Sequence, residues 1–337
     1  MSYIHVLRGD LLESRHRVHL AAVRPDGSLL ASTGKPNFSS FLRSSAKAFQ
    51  AIPLVQVMKQ FDLEPQHLAV AMASHAGEDA HVSTVADFQA RAGIDPSWLV
   101  CGIHWPFDDA ARAALRAKGE RPNVLHNNCS GKHTGMLAAC IARGWPTEGY
   151  ANPDHPLQLE IAAHIKKLMN LDHLETGVDG CSVPCFRMPL TNAALSMAKL
   201  ASAGTVKLAS ADQNLEYREI FETEFAAMRA HPNLIAGTGL IDTLLMTHVP
   251  NLASKIGAES FMLVAVKDSQ HGPFGMAMKI EDGNERARDV AMLEILAQLG
   301  LMARHDANFS ELSEPILRNH TGLEVGRIRP AFELQFA

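Results

Sequence analysis

Alternating apolar residues mark both ends of this chain and a helical period fills the middle, so strands far apart in sequence must pair. At the start, Tyr3 to Leu7, His16 to Val23 and Leu29 to Ser32 read as strands, with a turn at Pro25-Asp26-Gly27. Near the end, Ser260 to Val266 and Phe274 to Ile280 flank the turn-rich Lys267-Asp-Ser-Gln-His-Gly-Pro and predict a hairpin. A helix from about Glu285 to Leu301 and an extended piece near Leu323 to Phe332 close the chain. Between these ends the period predicts helices near 45–60, 79–92, 108–117, 132–143, 156–169, 189–203 and 212–230. The termini are therefore expected to share one antiparallel sheet while the middle folds over its face. That is an α+β, three-layer α/β/α-like domain over 1–337, with a sheet lobe from about 1–43 plus 256–337 and a helical lobe from about 44–255.

Composition narrows the partners. A net charge of -5, with basic residues spread along the sequence, leaves no footprint for nucleic acid. No apolar run approaches the length of a membrane span, and Met-Ser-Tyr-Ile-His-Val-Leu-Arg-Gly-Asp carries no export signal, so a cytoplasmic protein without a membrane partner is expected. Five cysteines form an odd set, which favours thiols or metal ligands over disulfides.

The chemistry-bearing residues sit where apolar periods break. Ser44 and Lys47 in Arg43-Ser-Ser-Ala-Lys47 open the run Phe49, Ile52, Val55, Met58, a spacing that can stack a lysine amine one turn from a serine hydroxyl. The plainer reading makes Ser44 an N-cap and Lys47 a solvated cation. Ser74-His75-Ala76-Gly77-Glu78 follows the apolar Leu68-Ala-Val-Ala-Met-Ala, and Lys255-Ile256-Gly257 immediately precedes the predicted hairpin. Ser-x-x-Lys, a turn serine and Lys-x-Gly follow the order of site elements in penicillin-recognising serine hydrolases. His126-Asn-Asn-Cys129-Ser-Gly-Lys132-His133 is the densest polar cluster, and Gly177-Val-Asp179-Gly-Cys181-Ser-Val-Pro-Cys185 is a second cysteine-bearing turn. Neither contains a C-x-x-C pair, so zinc ligands and buried free thiols both stand as readings. His16 and His19, three apart on a strand, face opposite ways and form no metal pair.

Taken together, Arg43 to Lys47 with Phe49-Gln50, Ser74 to Glu78, His126 to His133, Val178 to Cys181, Lys255-Ile-Gly-Ala-Glu259 and Lys279-Ile-Glu-Asp-Gly283 resemble the asparaginase II family of rhizobial-type (class 3) L-asparaginases. The resemblance covers essentially the whole chain. It implies a fold like that of serine β-lactamases and penicillin-binding proteins, a homodimer, and hydrolysis of L-asparagine to L-aspartate and ammonia. It further implies two Ser-Lys tandems, Ser44 with Lys47 and Ser74 with Lys255, beside a zinc ion held by Cys129, Lys132, Asp179 and Cys181. Arg43, Asn128, Lys132 and His133 are the candidates for holding substrate. The chain departs from the pattern at Leu240, where arginine is expected, and at Ser260, where glycine is expected; Cys185 is an additional thiol near the zinc set. A glutaminase or other small-amide hydrolase would use the same residues. A β-lactamase or peptidase is disfavoured by the lack of an export signal, and a non-catalytic zinc-binding protein is the alternative from a different class.

Overall fold

The structure is a computed structural model that describes residues 2–203 and 215–337. Its strands are β1 (Tyr3–Arg8), β2 (Leu11–Val23), β3 (Leu29–Thr33), β4 (Ser39–Phe41), β5 (Glu175–Val178), β6 (Pro184–Pro189), β7 (Leu252–Gly257), β8 (Phe261–Val266), β9 (Phe274–Ile280), β10 (Ile316–Arg318), β11 (Glu324–Ala331) and β12 (Gln335–Phe336). The helices are α1 (Lys47–Val55), α2 (Pro65–Ala71), α3 (Asp79–Ala92), α4 (Asp109–Ala117), α5 (Ser130–Arg143), α6 (Pro156–Leu168), α7 (Leu190–Ser202), α8 (Leu215–Ala230), α9 (Pro232–Ile235), α10 (Ile241–His248), α11 (Arg288–Gln298) and α12 (Ser310–Ser313). The start of the helix expected from 212 lies outside the described residues.

The two ends of the chain do pair. β1 runs antiparallel between β2 and β11, with Tyr3 opposite Arg17 on one side and Ala331 on the other. The main sheet follows the order β10-β11-β1-β2-β9-β8-β7, and β3 pairs with both β2 and β12. This is a mixed α/β architecture with an antiparallel sheet. β8 and β9 are buried at every position, so both sheet faces are covered at the centre, which is why Phe-Met-Leu-Val-Ala-Val reads as a continuous apolar run without alternation. β7 was not expected as a strand: Leu252-Ala-Ser-Lys-Ile-Gly carries a lysine and no clear alternation, yet it pairs with β8 along its whole length and Lys255 lies inside it. Sheet burial of a lysine overrides the propensity signal here.

The chain divides into two compact units: residues 1–42, 188–202 and 248–337, and residues 43–187 and 203–247. The helical lobe was expected to run unbroken from 44 to 255, but α7 clusters with the sheet. α7 packs on β9, β8 and β2, presenting Ala193, Ala194, Met197, Ala198 and Ala201 as buried residues. Gly275 makes that approach possible, because a Cβ there would lie 2.2 Å from both Ala194 O and Ala198 N.

In the helical unit α5 is the central element, packing against α1, α2 and α3. A Cβ at Gly131 would fall 2.2 Å from Val70 O, so glycine lets the first turn of α5 press directly on α2. That contact brings the segment leaving α2, which begins at Met72, against the residues that open α5. α2 itself was missed as a helix. Its start is set by Pro65 in the first turn and by a capping box between Glu64 and His67.

Candidate active site

The first catalytic candidates lie at a break between two helical forms. Arg43–Ala46 is a 3-10 turn, α1 begins at Lys47, and its N-cap is Ala46. Ser44 is therefore no N-cap, and it precedes the α-helix instead of starting it. Arg43 has φ +52°, a left-handed conformation costing of order 1–3 kcal/mol for a residue with a side chain. Its Nε donates to Asp179 Oδ1 at 2.8 Å, which fixes the residue beside Ser44.

Lys47 is fully buried, and every bond it makes is to the neighbouring segments. Its Nζ donates to Ala73 O, meets Ser74 Oγ at 2.9 Å and approaches Asn128 O at 3.3 Å. The expected partner was Ser44, but among the described residues the Ser44 hydroxyl has no hydrogen-bond partner and Lys47 is joined to Ser74. Burial lowers the Lys47 pKa, against the opposing pull of Cys129. A neutral amine has two N–H groups and one lone pair. The Nζ donates to Ser74 Oγ as it does to the carbonyls; once the amine gives up a proton, the two carbonyls can keep the remaining hydrogens and the lone pair falls to the Ser74 hydroxyl.

Ser74 is held by its backbone. Ser74 N donates to Ile235 O at 3.0 Å and Ala76 N to Ala236 O at 2.7 Å, while His75 N reaches Asn128 O at 3.3 Å. The 237–240 loop is pinned in turn by Glu78, which accepts from Thr238 N at 2.6 Å. Leu240 stands on that loop, 39% exposed. Buried His75 contacts Ser130 Oγ through Nε2 at 2.9 Å. Ser130 already donates to Leu125 O, so His75 Nε2 is the donor and Nδ1 is a bare acceptor. Among the described residues that Nδ1 has no partner. Burial, then His81 and Lys47, hold the ring neutral.

The second cluster sits at the start of α5. Lys132 Nζ donates to Cys181 Sγ at 2.9 Å, and Cys129 and Cys181 are hydrogen-bonded to each other. The Cys181 hydrogen bond, helped by Lys47 and Lys132, holds Cys129 well below the ordinary thiol range in spite of burial. Lys132 pays a burial penalty that the Cys129 and Cys181 sulfurs outweigh, so its pKa is raised. Asp179 does not join the sulfurs; its Oδ1 is occupied by Arg43 Nε and by Gly180 N at 2.8 Å. Among the described residues no group of three or more His, Cys, Asp and Glu side chains is gathered for a metal. What is gathered is two thiols and an amine. Cys185 lies on β6 opposite Gly177, where burial raises its pKa.

Asn128 N donates to His104 Nε2 at 3.0 Å, which orients the residue beside Cys129. His133 Nδ1 meets Tyr150 OH at 2.6 Å, Tyr150 OH accepts from Val100 N at 3.1 Å, and His133 Nε2 is buried without a partner among the described residues. Arg43, Ser44, Lys47, Ser74, Asn128, Cys129, Lys132, His133, Asp179 and Cys181 all belong to the helical unit. Lys255 belongs to the sheet unit, where it is buried and donates to Ile256 O at 3.0 Å. Sequence reasoning passed over His75 and Tyr150. His75 was readable as the neighbour of a turn serine, whereas nothing in the sequence links Tyr150 to His133.

No curated protein matches the chain. Among solved structures, the crystal structure of a Bacillus glutaminase is 13% identical over 85% of this chain and 92% of that one, with a TM-score of 0.39. A structure of Mglu is 12% identical over 85% of this chain and 68% of that one, with a TM-score of 0.38. Likenesses so distant bear on neither substrate nor site. The profile of L-asparaginase II matches residues 4–330, a span that takes in every segment quoted above for the resemblance, and the chain belongs to that family of amidohydrolases.

Proposed function

We propose that the protein is an L-asparaginase of the rhizobial (class 3) type, with the penicillin-binding-protein-like fold that type implies. It hydrolyses the side-chain amide of L-asparagine to L-aspartate and ammonia. The observation that carries the mechanism is the fully buried Lys47 amine, fixed by two backbone carbonyls with its remaining position on Ser74 Oγ at 2.9 Å. Ser44 attacks the amide carbon, since its hydroxyl is committed to no other group. Its proton passes to Ser74 as Ser74 gives its own to Lys47, and the same relay returns a proton to the leaving ammonia. Water then cleaves the aspartyl ester by the reverse path. In this reading Lys255 is the partner of Ser74 in the second tandem, and Arg43, Asn128, Lys132 and His133 bind the substrate's charged ends.

Two thiols and an amine in mutual contact are a donor set suited to zinc, a soft-tolerant cation that stabilises the thiolate and neutral-amine forms. Cys129, Cys181 and Lys132 would hold it, and Asp179 would complete the set by exchanging its bond to Arg43. With four protein ligands the shell would be full, so bound zinc would position the substrate and stiffen the pocket and would not activate water. The proposed functional form is a cytoplasmic homodimer.

The test is ammonia release from L-asparagine and L-glutamine, with mass spectrometry of the acyl-enzyme trapped by rapid quenching. Turnover of asparagine well above glutamine, with the adduct on Ser44, is expected. An adduct on Ser74 would reverse the serine roles, and no release from either amide would remove the activity. Metal content before and after chelation tests the zinc site: chelation should raise the Michaelis constant more than it lowers the melting temperature.

A further inference from the structure

One nitrogen of His133 is committed, and that commitment decides what the other can do. Tyr150 OH accepts from Val100 N at 3.1 Å and meets His133 Nδ1 at 2.6 Å. A phenol has one proton to give. If Nδ1 carried a hydrogen, Tyr150 would receive two donors, and its own proton would have no acceptor among the described residues although the side chain is only 1% exposed. The pair is satisfied when Tyr150 donates to a bare Nδ1, which leaves the ring's hydrogen on Nε2. Nε2 is then a buried donor that no group accepts from among the described residues. The brace behind it is tied down in turn. Gln158 Nε2 donates to Tyr150 O at 2.8 Å, and Ser182 Oγ donates to Val100 O at 3.3 Å, so Val100 joins the phenol to the turn that carries Cys181. The two rings meet edge to face with centroids 5.6 Å apart. His133 follows Lys132 on the first turn of α5, and burial, then the Lys132 and Lys47 amines, hold its pKa well below the ordinary value, which sets the ring among the cations of the site.

We propose that Tyr150 is a positioning residue for the reaction: its hydroxyl fixes His133 with the hydrogen on Nε2 and so assigns the ring to the α-carboxylate of the substrate. This rests on the reading above in which His133 binds substrate. An N–H donor has nothing to offer the substrate's ammonium, which only donates, whereas a carboxylate only accepts. The amide oxygen belongs at the carbon that Ser44 attacks, and among the described residues neither Tyr150 nor His133 is bonded to Ser44, Lys47 or Ser74 through its side chain.

The experiment is nitrogen NMR of the full chain, isotopically labelled at histidine, with L-aspartate and with β-alanine, which lacks the α-carboxylate, alongside steady-state kinetics on L-asparagine. His133, assigned by the signals that vanish in His133→Gln, should show a protonated Nε2 and a bare Nδ1, and L-aspartate should shift Nε2 where β-alanine does not. Tyr150→Phe should let the Nδ1–H form appear and raise KM by about tenfold with kcat within about twofold. Should Tyr150→Phe fail to fold, His133→Gln against His133→Phe decides: the amide keeps a donor, so His133→Gln should hold KM nearer wild type than His133→Phe does. A bare Nε2 in the wild type overturns the inference, as does a folded Tyr150→Phe with the wild-type ring form and KM within about twofold. A fall in kcat with KM unchanged, or an equal Nε2 shift from β-alanine, overturns the carboxylate assignment, and so does equal KM in His133→Gln and His133→Phe. The nitrogen signals are read without turnover. An inactive protein with Nε2 protonated and shifted by L-aspartate would remove the asparaginase and keep the inference, and an active one with Nε2 bare would do the reverse.

Discussion

The buried histidines of the two units are satisfied to different degrees. In the sheet unit His16 uses both nitrogens, Nδ1 on Asp282 at 2.6 Å and Nε2 accepting from Arg286 Nε at 2.8 Å. His19 likewise meets Glu281 at 2.7 Å and accepts from Lys35 N at 3.0 Å. In the helical unit His67 and His81 are equally complete, but His75 and His133 each leave one buried nitrogen without a partner. An unmet buried polar atom costs about 1–3 kcal/mol. The two incomplete rings are those next to Ser74 and Lys132. The difference therefore separates rings tied into the fold at both nitrogens from rings with one nitrogen uncommitted among the described residues.

The hardest test of that division is loss of the proton-handling groups. Ser44→Ala and Lys47→Met should each lower turnover by at least about 10³-fold while the melting temperature stays close to wild type, measured by steady-state ammonia release and calorimetry. If Lys47→Met keeps a substantial rate at neutral pH, another base serves the serines. Next come the rings themselves. His133→Phe should lower kcat/KM by about tenfold with little change in denaturant midpoint, whereas His19→Leu should cost about 1–3 kcal/mol in urea unfolding and leave KM unchanged. The opposite pattern would break the comparison.

Glu224 sharpens it with a pH signature. Its carboxyl is fully buried on α8, both oxygens lack partners among the described residues, and burial alone raises its pKa well above the ordinary value. Between the unfolded and folded pKa values the native state keeps a proton that the unfolded chain has released, so stability falls as pH rises above the unfolded value. The slope from this one group is at most about 1.4 kcal/mol per pH unit. Glu224→Gln should flatten that slope and gain most at neutral and alkaline pH, as read from urea unfolding across pH. Buried Glu294 of the sheet unit, which accepts from Arg304 at 2.6 Å, should show no such gain when made glutamine. The smallest effect belongs to Ser260, where φ is +54° and the hydroxyl donates to Gly283 O at 3.0 Å. Ser260→Ala should cost about 1 kcal/mol, while Ser260→Gly should come out near neutral because relief of the backbone offsets the lost bond.

Much of the fold was legible because periodicity reports burial on one face. The boundaries of α3 and β9 agree with the expected 79–92 and Phe274 to Ile280. β7 and α2 were lost because Lys255 interrupts one apolar pattern and Leu68-Ala-Val-Ala suits a helix and a strand alike. The site was legible as a set of residues but not as a set of pairs. Spacing put Lys47 beside Ser44, whereas the approach of α5 to α2 through Gly131 places Ser74 on the lysine.

The position of α7 bears on how this chain can be divided. The helix that covers β9 is encoded between two stretches of the helical unit, and the helical unit is itself enclosed by the two ends of the sheet. Neither unit is one continuous stretch of polypeptide. A cut at residue 248 separates α7 from the all-buried strand it covers at Gly275, and a cut at residue 43 separates β1 and β2 from their partners β11 and β9. Proteolysis or gene fragmentation at those borders should therefore yield insoluble pieces, and any recombination with a related chain has to exchange residues 188–202 together with the termini. Heredity has to treat as one module what the sequence writes in three places.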